Sequence, residues 1–264
     1  MVPIAEQEVP IKFVSIIGKI EKMTFPEQGC TSHVGIVKGE NGVFVLKRSK
    51  GERYSGWLER EAFILKSLSE TSLPIPVIHA FEKNSELNES WILMNFIQGE
   101  TMGEALQKEK DSEKRRSLIY QFGEVLREIH STTCPEEIYQ PDTIWLDKIL
   151  DKAEIELQLY DLDGTPELLE QLKREKPKNI MQTLIHGDFT VDNVLVHDGK
   201  IAAVIDWSGG AYGDPRFDVA LAIQPEDDFF VNEEDKKTFF EGYGERIINE
   251  DEYEYFANGV YEFL

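Results

Sequence analysis

LIHGDFTVDNVLVHDGKIAAVIDWSGGAYGDPRFDVALAI, residues 184–223, decides how this chain reads. Its apolar runs at 194–196 and 201–205 have strand character, and the segment His197-Asp198-Gly199-Lys200 between them is turn chemistry. The spacing predicts a hairpin with Asn193 at the entry of one strand and Asp206 at the exit of the other. Asp188 stands five residues before Asn193. Two carboxylates and an amide gathered in this way would make an oxygen-rich site suited to Mg²⁺.

The segment His186-Gly187-Asp188-Phe189-Thr190-Val191-Asp192-Asn193 has the H-x-D-x-x-x-x-N layout of a kinase catalytic loop, and Ile205-Asp206-Trp207 follows as a metal-binding Asp would. Gly213-Asp214-Pro215 and Asp218-Val219-Ala220 come next. Together these elements resemble the aminoglycoside phosphotransferase family, small-molecule kinases with a protein-kinase-like fold, and they are most similar to its hygromycin-type and broad branches. The resemblance implies an α+β, bilobal protein-kinase-like fold with a β-rich N-lobe and a mostly helical C-lobe. It further implies that Asp188 orients the acceptor hydroxyl and takes its proton, while Asn193 and Asp206 hold Mg²⁺ against the phosphates of ATP or GTP. His186 and Asp218 would support the catalytic loop by packing and hydrogen bonding.

Working outward, residues 1–97 are expected to form the nucleotide-binding lobe and residues 98–264 the catalytic and substrate-binding lobe. Residues 19–25, 34–38 and 43–47 read as strands, and Tyr54–Leu68 has apolar residues at helical spacing. Residues 77–82 and 91–97 complete the strands, with Gln98-Gly99-Glu100 as a hinge. Farther on, 113–130 is an amphipathic helix, 143–176 supplies two more broken near Gly164, and 233–243 and 252–263 are further helices.

Lys47 closes the expected strand at 43–47, where a kinase places the lysine that meets the nucleotide phosphates. Glu61 is its expected partner, with Glu59 as the competitor. The loop Gly29-Cys30-Thr31-Ser32-His33-Val34-Gly35 occupies the phosphate-covering position without the G-x-G-x-x-G pattern, so Thr31 and Ser32 are the candidate phosphate contacts. Asn95, Phe96 and Ile97 are expected to offer backbone groups to the nucleobase. His33, His79, His130 and His197 lack zinc-type spacing and read as surface or core residues.

Composition narrows the class. The chain has 264 residues, 50 acidic against 28 basic side chains and a formal charge of −22. Such a surface repels phosphate backbones, which argues against nucleic acid, and it would attract a polycation. No apolar run reaches the roughly 18 residues of a membrane helix. Cys30 and Cys134 form no disulfide framework, and the first residues carry no basic leader, so a cytoplasmic setting is expected.

No A-P-E segment follows Asp206-Trp207-Ser208, and Gly213-Asp214-Pro215 arrives within seven residues. That leaves no platform for a peptide, so the acceptor is expected to be a small alcohol. An aminoglycoside-type antibiotic is the leading reading, with Asp192, Glu226, Asp227 and Asp228 as candidate amine contacts. A metabolite kinase acting on choline, homoserine or methylthioribose is the alternative. A nucleotide-binding module without catalysis would require damage among Lys47, Asp188, Asn193 and Asp206, and all four are present. A pure interaction protein has only the acidic charge in its favour.

Overall fold

The structure, a computed structural model, describes residues 4–26, 31–225, 229–230 and 232–264. Packing divides the chain into two units, Met1–Gln98 with Ala203–Gly209 and Gly99–Ala202 with Gly210–Leu264. The first is built on an antiparallel sheet and the second is mostly helical, the α+β class expected from the sequence.

In the first unit, helix α1 (Ile11–Ile17) precedes strands β1 (Ile20–Thr24), β2 (His33–Gly39) and β3 (Gly42–Lys50). Helix α2 (Glu52–Ser67) and strands β4 (Ile78–Asn84) and β5 (Glu89–Asn95) follow, and the sheet order is β1-β2-β3-β5-β4. Alternate side chains of a strand face opposite ways. Phe44 and Leu46 of β3 therefore join Phe13 and Ile17 of α1, with Trp91 and Leu93 of β5, in one buried cluster. Lys47, between them in register, faces α2 on the other side. Apolar residues on both faces explain the near-continuous hydrophobic run of β5.

Among the differences from expectation are two strand ends and one helix. Strand β3 continues to Lys50 because its pairing with β5 runs from Phe44↔Asn95 to Lys50↔Glu89, so Lys47 lies inside the strand and not at its end. Strand β5 stops at Asn95, whose side-chain oxygen accepts the Val77 N–H at 2.7 Å. Helix α1 has little sequence signature, since Phe13 and Ile17 are buried while Ile11 is 86% exposed.

The second unit opens with β6 (Glu100–Thr101), α3 (Met102–Lys108) and α4 (Ser112–Ser131), the last capped by Asp111. Helices α5 (Trp145–Glu156) and α6 (Pro166–Arg174) lead to β7 (Thr183–Ile185), β8 (Val194–His197) and β9 (Lys200–Val204). The β8–β9 turn places Asp198 at φ 51° and Gly199 at φ 73°, the two positive angles of a type I′ hairpin. Strand β10 (Ala211–Gly213) pairs with β7, and helices α7 (Pro215–Ala222), α8 (Glu233–Tyr243) and α9 (Glu250–Ala257) follow.

The single helix expected over 252–263 is broken: α9 ends at Ala257 and a 3-10 turn forms at Val260–Phe263. Asn258 and Gly259 lie at the break, and both are poor helix formers. Helices α4 and α8 cross through glycine: a Cβ on Gly123 would strike the Phe239 carbonyl, and one on Gly242 the Tyr120 carbonyl.

Candidate active site

The Asp188 loop belongs to the second unit. Gly187 sits at φ 81°, a left-handed angle that glycine adopts without steric cost. The Asn193 side-chain nitrogen donates to the Asp188 carbonyl at 2.8 Å and to its Oδ2 at 2.9 Å. This orientation commits the amide nitrogen to the loop and leaves the amide oxygen for another partner. The Tyr261 hydroxyl donates to Asp188 Oδ1 at 3.2 Å.

Beneath the loop lies Asp218, fully buried at 0% exposure. Its carboxylate accepts the His186 N–H at 2.6 Å, the Gly187 N–H at 2.8 Å and His130 Nε2 at 3.2 Å. A buried carboxylate is tolerable when it is held this fully. The Gly213-Asp214-Pro215 motif explains its position. Asp214 caps α7, accepting the Arg216 N–H at 3.0 Å, and Pro215 fixes the first helical turn. Asp218 then sits in that first turn. The Arg216 guanidinium grips Asp214 at 2.6 Å and Glu252 of α9 at 2.5 Å, tying both helices together.

Apolar packing fixes the rest of the loop. Phe189 is fully buried and stacks on Phe122 of α4 at 4.7 Å. His186, also fully buried, takes the Asp188 N–H on Nδ1 at 3.3 Å and meets Phe189 edge-on at 6.0 Å.

The first unit holds a second cluster. Lys47 Nζ donates to Glu61 Oε1 at 2.7 Å and lies 3.5 Å from Asp206 Oδ1. Glu59, the other candidate partner, pairs with Lys83 at 2.6 Å instead. Burial alone would lower the Lys47 ammonium, but Asp206 and Glu61 outweigh it and hold the group above its ordinary value. Burial pushes Glu61 up to about 7, with Lys47 opposing. Asp206 stands at φ 63°, a left-handed angle that costs a non-glycine residue about 1–3 kcal/mol. The segment is anchored by the Val204 N–H on the Pro74 carbonyl at 2.7 Å and by the buried Trp207 indole on the Val204 carbonyl at 2.9 Å. The Asp206 side chain stays 43% exposed. No group of three or more His, Cys, Asp or Glu side chains suited to a metal occurs among the described residues.

Other expected contacts are placed less simply. The Asn95 N–H bonds the Val77 carbonyl at 3.1 Å and the Phe96 N–H bonds the Val43 carbonyl at 3.3 Å, so both are already used inside the sheet. The Ser32 hydroxyl shares a 2.7 Å bond with Ser49, and the Thr31 carbonyl accepts from Ser49 at 3.4 Å. Gly29, Cys30, Glu226, Asp227 and Asp228 lie outside the described residues.

Two participants escape the sequence reading. His130 appears there as a scattered histidine, yet it is the third donor to Asp218. Tyr261 appears only as part of a helix, yet it reaches Asp188. His130 falls on the apolar face of α4, which is the available sign; Tyr261 has none.

Comparison with known proteins bears on this arrangement. A model of the phosphotransferase enzyme family, APH, matches residues 22–256. An aminoglycoside 3'-phosphotransferase of Enterococcus faecalis is 30% identical over 203 residues, 70% of this chain and 72% of that protein. An acyl-CoA dehydrogenase family member 10 of Mus musculus is 27% identical over 174 residues, covering 62% of this chain, which thus spans only 16% of that much longer protein. The streptomycin-ATP-APH(2")-IIa ternary complex superposes with a TM-score of 0.64 at 19% identity, covering 93% of this chain and 86% of that one. That likeness extends the kinase-like fold over nearly the whole chain. With the family model spanning both units, the chain belongs to the phosphotransferase enzyme family.

Proposed function

We propose that this protein is a Mg²⁺-dependent small-molecule O-phosphotransferase that moves the γ-phosphoryl group of ATP or GTP to a hydroxyl of an aminoglycoside-type acceptor. The observation that carries the reading is the Asn193 amide donating to the Asp188 carbonyl at 2.8 Å and to its Oδ2 at 2.9 Å, which ties the carboxylate to the loop and supports Asp188 as the group that meets an acceptor hydroxyl. In the reaction the acceptor oxygen bonds to the γ-phosphorus and the bridging bond to the β-phosphate breaks. The acceptor proton passes to Asp188, and the nucleoside diphosphate leaves. A positioned base of this kind contributes about 10²–10⁴-fold. Lys47, braced by Glu61, would meet the nucleotide phosphates. Mg²⁺ held by Asn193 and Asp206 would offset phosphate charge.

The formal charge of −22 and the Enterococcus relative support a cationic acceptor. A metabolite alcohol such as choline, homoserine or methylthioribose is the second reading. It is favoured by the mouse relative, since the matched segment also occurs in a protein not named for an antibiotic. No helix among the described residues is long and apolar enough to cross a membrane.

The test is release of nucleoside diphosphate with Mg²⁺, offering ATP and GTP separately. Kanamycin, streptomycin, hygromycin B, choline and homoserine serve as acceptors, with Asp188→Asn as the blank. Turnover with an aminoglycoside supports the first reading. Turnover with a metabolite alone supports the second. Full turnover by Asp188→Asn would remove the mechanism.

A further inference from the structure

The Asp188 carboxylate is held at two points, by Asn193 on Oδ2 at 2.9 Å and by the Tyr261 hydroxyl on Oδ1 at 3.2 Å. We propose that Tyr261 is a positioning residue of the phosphoryl transfer: its hydroxyl fixes the rotation of the Asp188 carboxylate so that a remaining lone pair faces the acceptor. This rests on Asp188 being the base.

A carboxylate offers about four lone-pair positions, so two donors leave room for the acceptor proton. Donors on both oxygens hold the group against turning about its Cβ–Cγ bond more firmly than a donor on one. Catalysis by positioning is sensitive to such freedom.

The phenol is itself anchored. Val260 and Phe263 on either side are 0% and 1% exposed. The Glu262 carbonyl accepts the Gly164 N–H at 2.9 Å, and the Phe263 ring lies where a Cβ on Gly164 would come within 2.5 Å of it. The Tyr261 ring rests 6.4 Å from Phe217 of α7, two residues after the Pro215 that begins that helix. A hydroxyl fastened on both sides in this way is a fixed donor, in contrast to a plug that each acceptor would have to push aside.

The experiment compares wild type, Tyr261→Phe and Asp188→Asn, measuring phosphate release from Mg²⁺-ATP with water alone and diphosphate release with kanamycin. Protein labelled with ¹³C at the tyrosine Cζ supplies a readout independent of turnover. The Tyr261 resonance is identified by its loss in Tyr261→Phe. It is expected to move in Asp188→Asn, where the charged acceptor is gone. Loss of one such hydrogen bond predicts a kcat about tenfold lower in Tyr261→Phe. The nucleotide KM and melting temperature should stay unchanged, a split that loss of a merely structural contact would not give.

An unmoved resonance in Asp188→Asn would overturn the proposal. So would a Tyr261→Phe enzyme as fast as wild type while Asp188→Asn is dead. A lower acceptor KM with unchanged kcat would show a plug and overturn it equally. Asp188→Asn as active as wild type would instead remove the role of Asp188, and the role of Tyr261 with it.

Discussion

Nε2 of His130 lies 3.2 Å from Oδ2 of Asp218, the same oxygen that takes the His186 amide of the Asp188 loop. On its other side, Nδ1 of His130 lies 2.8 Å from the Tyr243 hydroxyl. A carboxylate can only accept, so Nε2 carries the hydrogen that Asp218 takes, and Nδ1 meets the phenol. Burial, and then the charge of Asp218, hold the Tyr243 phenol above its ordinary value, so it stays a donor. Three helices, α4, α7 and α8, are thereby wired to the loop that carries Asp188.

His130→Leu follows directly from this chain. It strands the Tyr243 hydroxyl and removes one of three donors to Asp218, and an unsatisfied buried polar group costs about 1–3 kcal/mol. Urea denaturation should show that loss, and Tyr243→Phe should show a smaller one, since His130 keeps its bond to Asp218. In turnover assays His130→Leu should lower kcat with little change in nucleotide KM. A stability equal to wild type would mean that the network carries no net free energy.

Lys47→Met tests the other cluster, and its cost should depend on pH. Removing one partner of a buried ion pair costs about 3–5 kcal/mol when the other must stay charged. Glu61 need not stay charged: burial already pushes it up to about 7, and losing Lys47 removes the group that opposes this. A folded-state value raised above the unfolded one contributes stability below the unfolded value, lost as pH rises through the folded one. The variant should therefore lie closest to wild type near pH 5 and fall away above pH 7. Thermal melts across that range measure it, and a deficit independent of pH would contradict it.

Asp206 and Asp188 should separate when assayed for nucleotide binding. Asp206→Ala removes a carboxylate that stays 43% exposed beside Lys47, and should weaken ATP binding in the presence of Mg²⁺ much more than in its absence. Asp188→Asn should leave binding near wild type. Titration calorimetry with and without Mg²⁺ reads both. Equal loss in the two variants would argue against the assigned division of labour.

What the sequence revealed and what it withheld have a common cause. The Asp188 loop, the β8–β9 hairpin and the Gly213-Asp214-Pro215 cap are local devices, each written within a few consecutive residues, and all can be read there. Lys47 is legible from its place on the strand expected at 43–47, but Glu61 over Glu59 depends on helix phase, which only packing fixes. His130 meets Asp218 across 88 residues of chain, and Tyr261 meets Asp188 across 73. No spacing rule encodes contacts of that kind. The expected nucleobase contacts at Asn95 and Phe96 were read from order along the chain, which could not show that sheet pairing already uses their amides.

The crossing of α4 and α8 turns on glycine, and Gly242→Ala probes it. Alanine would add about 1 kcal/mol of helix propensity if the site had room. It has none, because the new Cβ would strike the Tyr120 carbonyl of α4. Overpacking of this sort costs about 1–3 kcal/mol, so net destabilisation is expected in urea melts. Gly123→Ala meets the Phe239 carbonyl across the same crossing and should behave alike. The double variant should fall short of additivity, since helices forced apart by one methyl accommodate the second more easily. Separation of these helices would also lengthen the 2.8 Å contact of His130 with Tyr243, so kcat should drop along with stability. A Gly242→Ala protein more stable than wild type would show that the crossing is looser than its geometry implies.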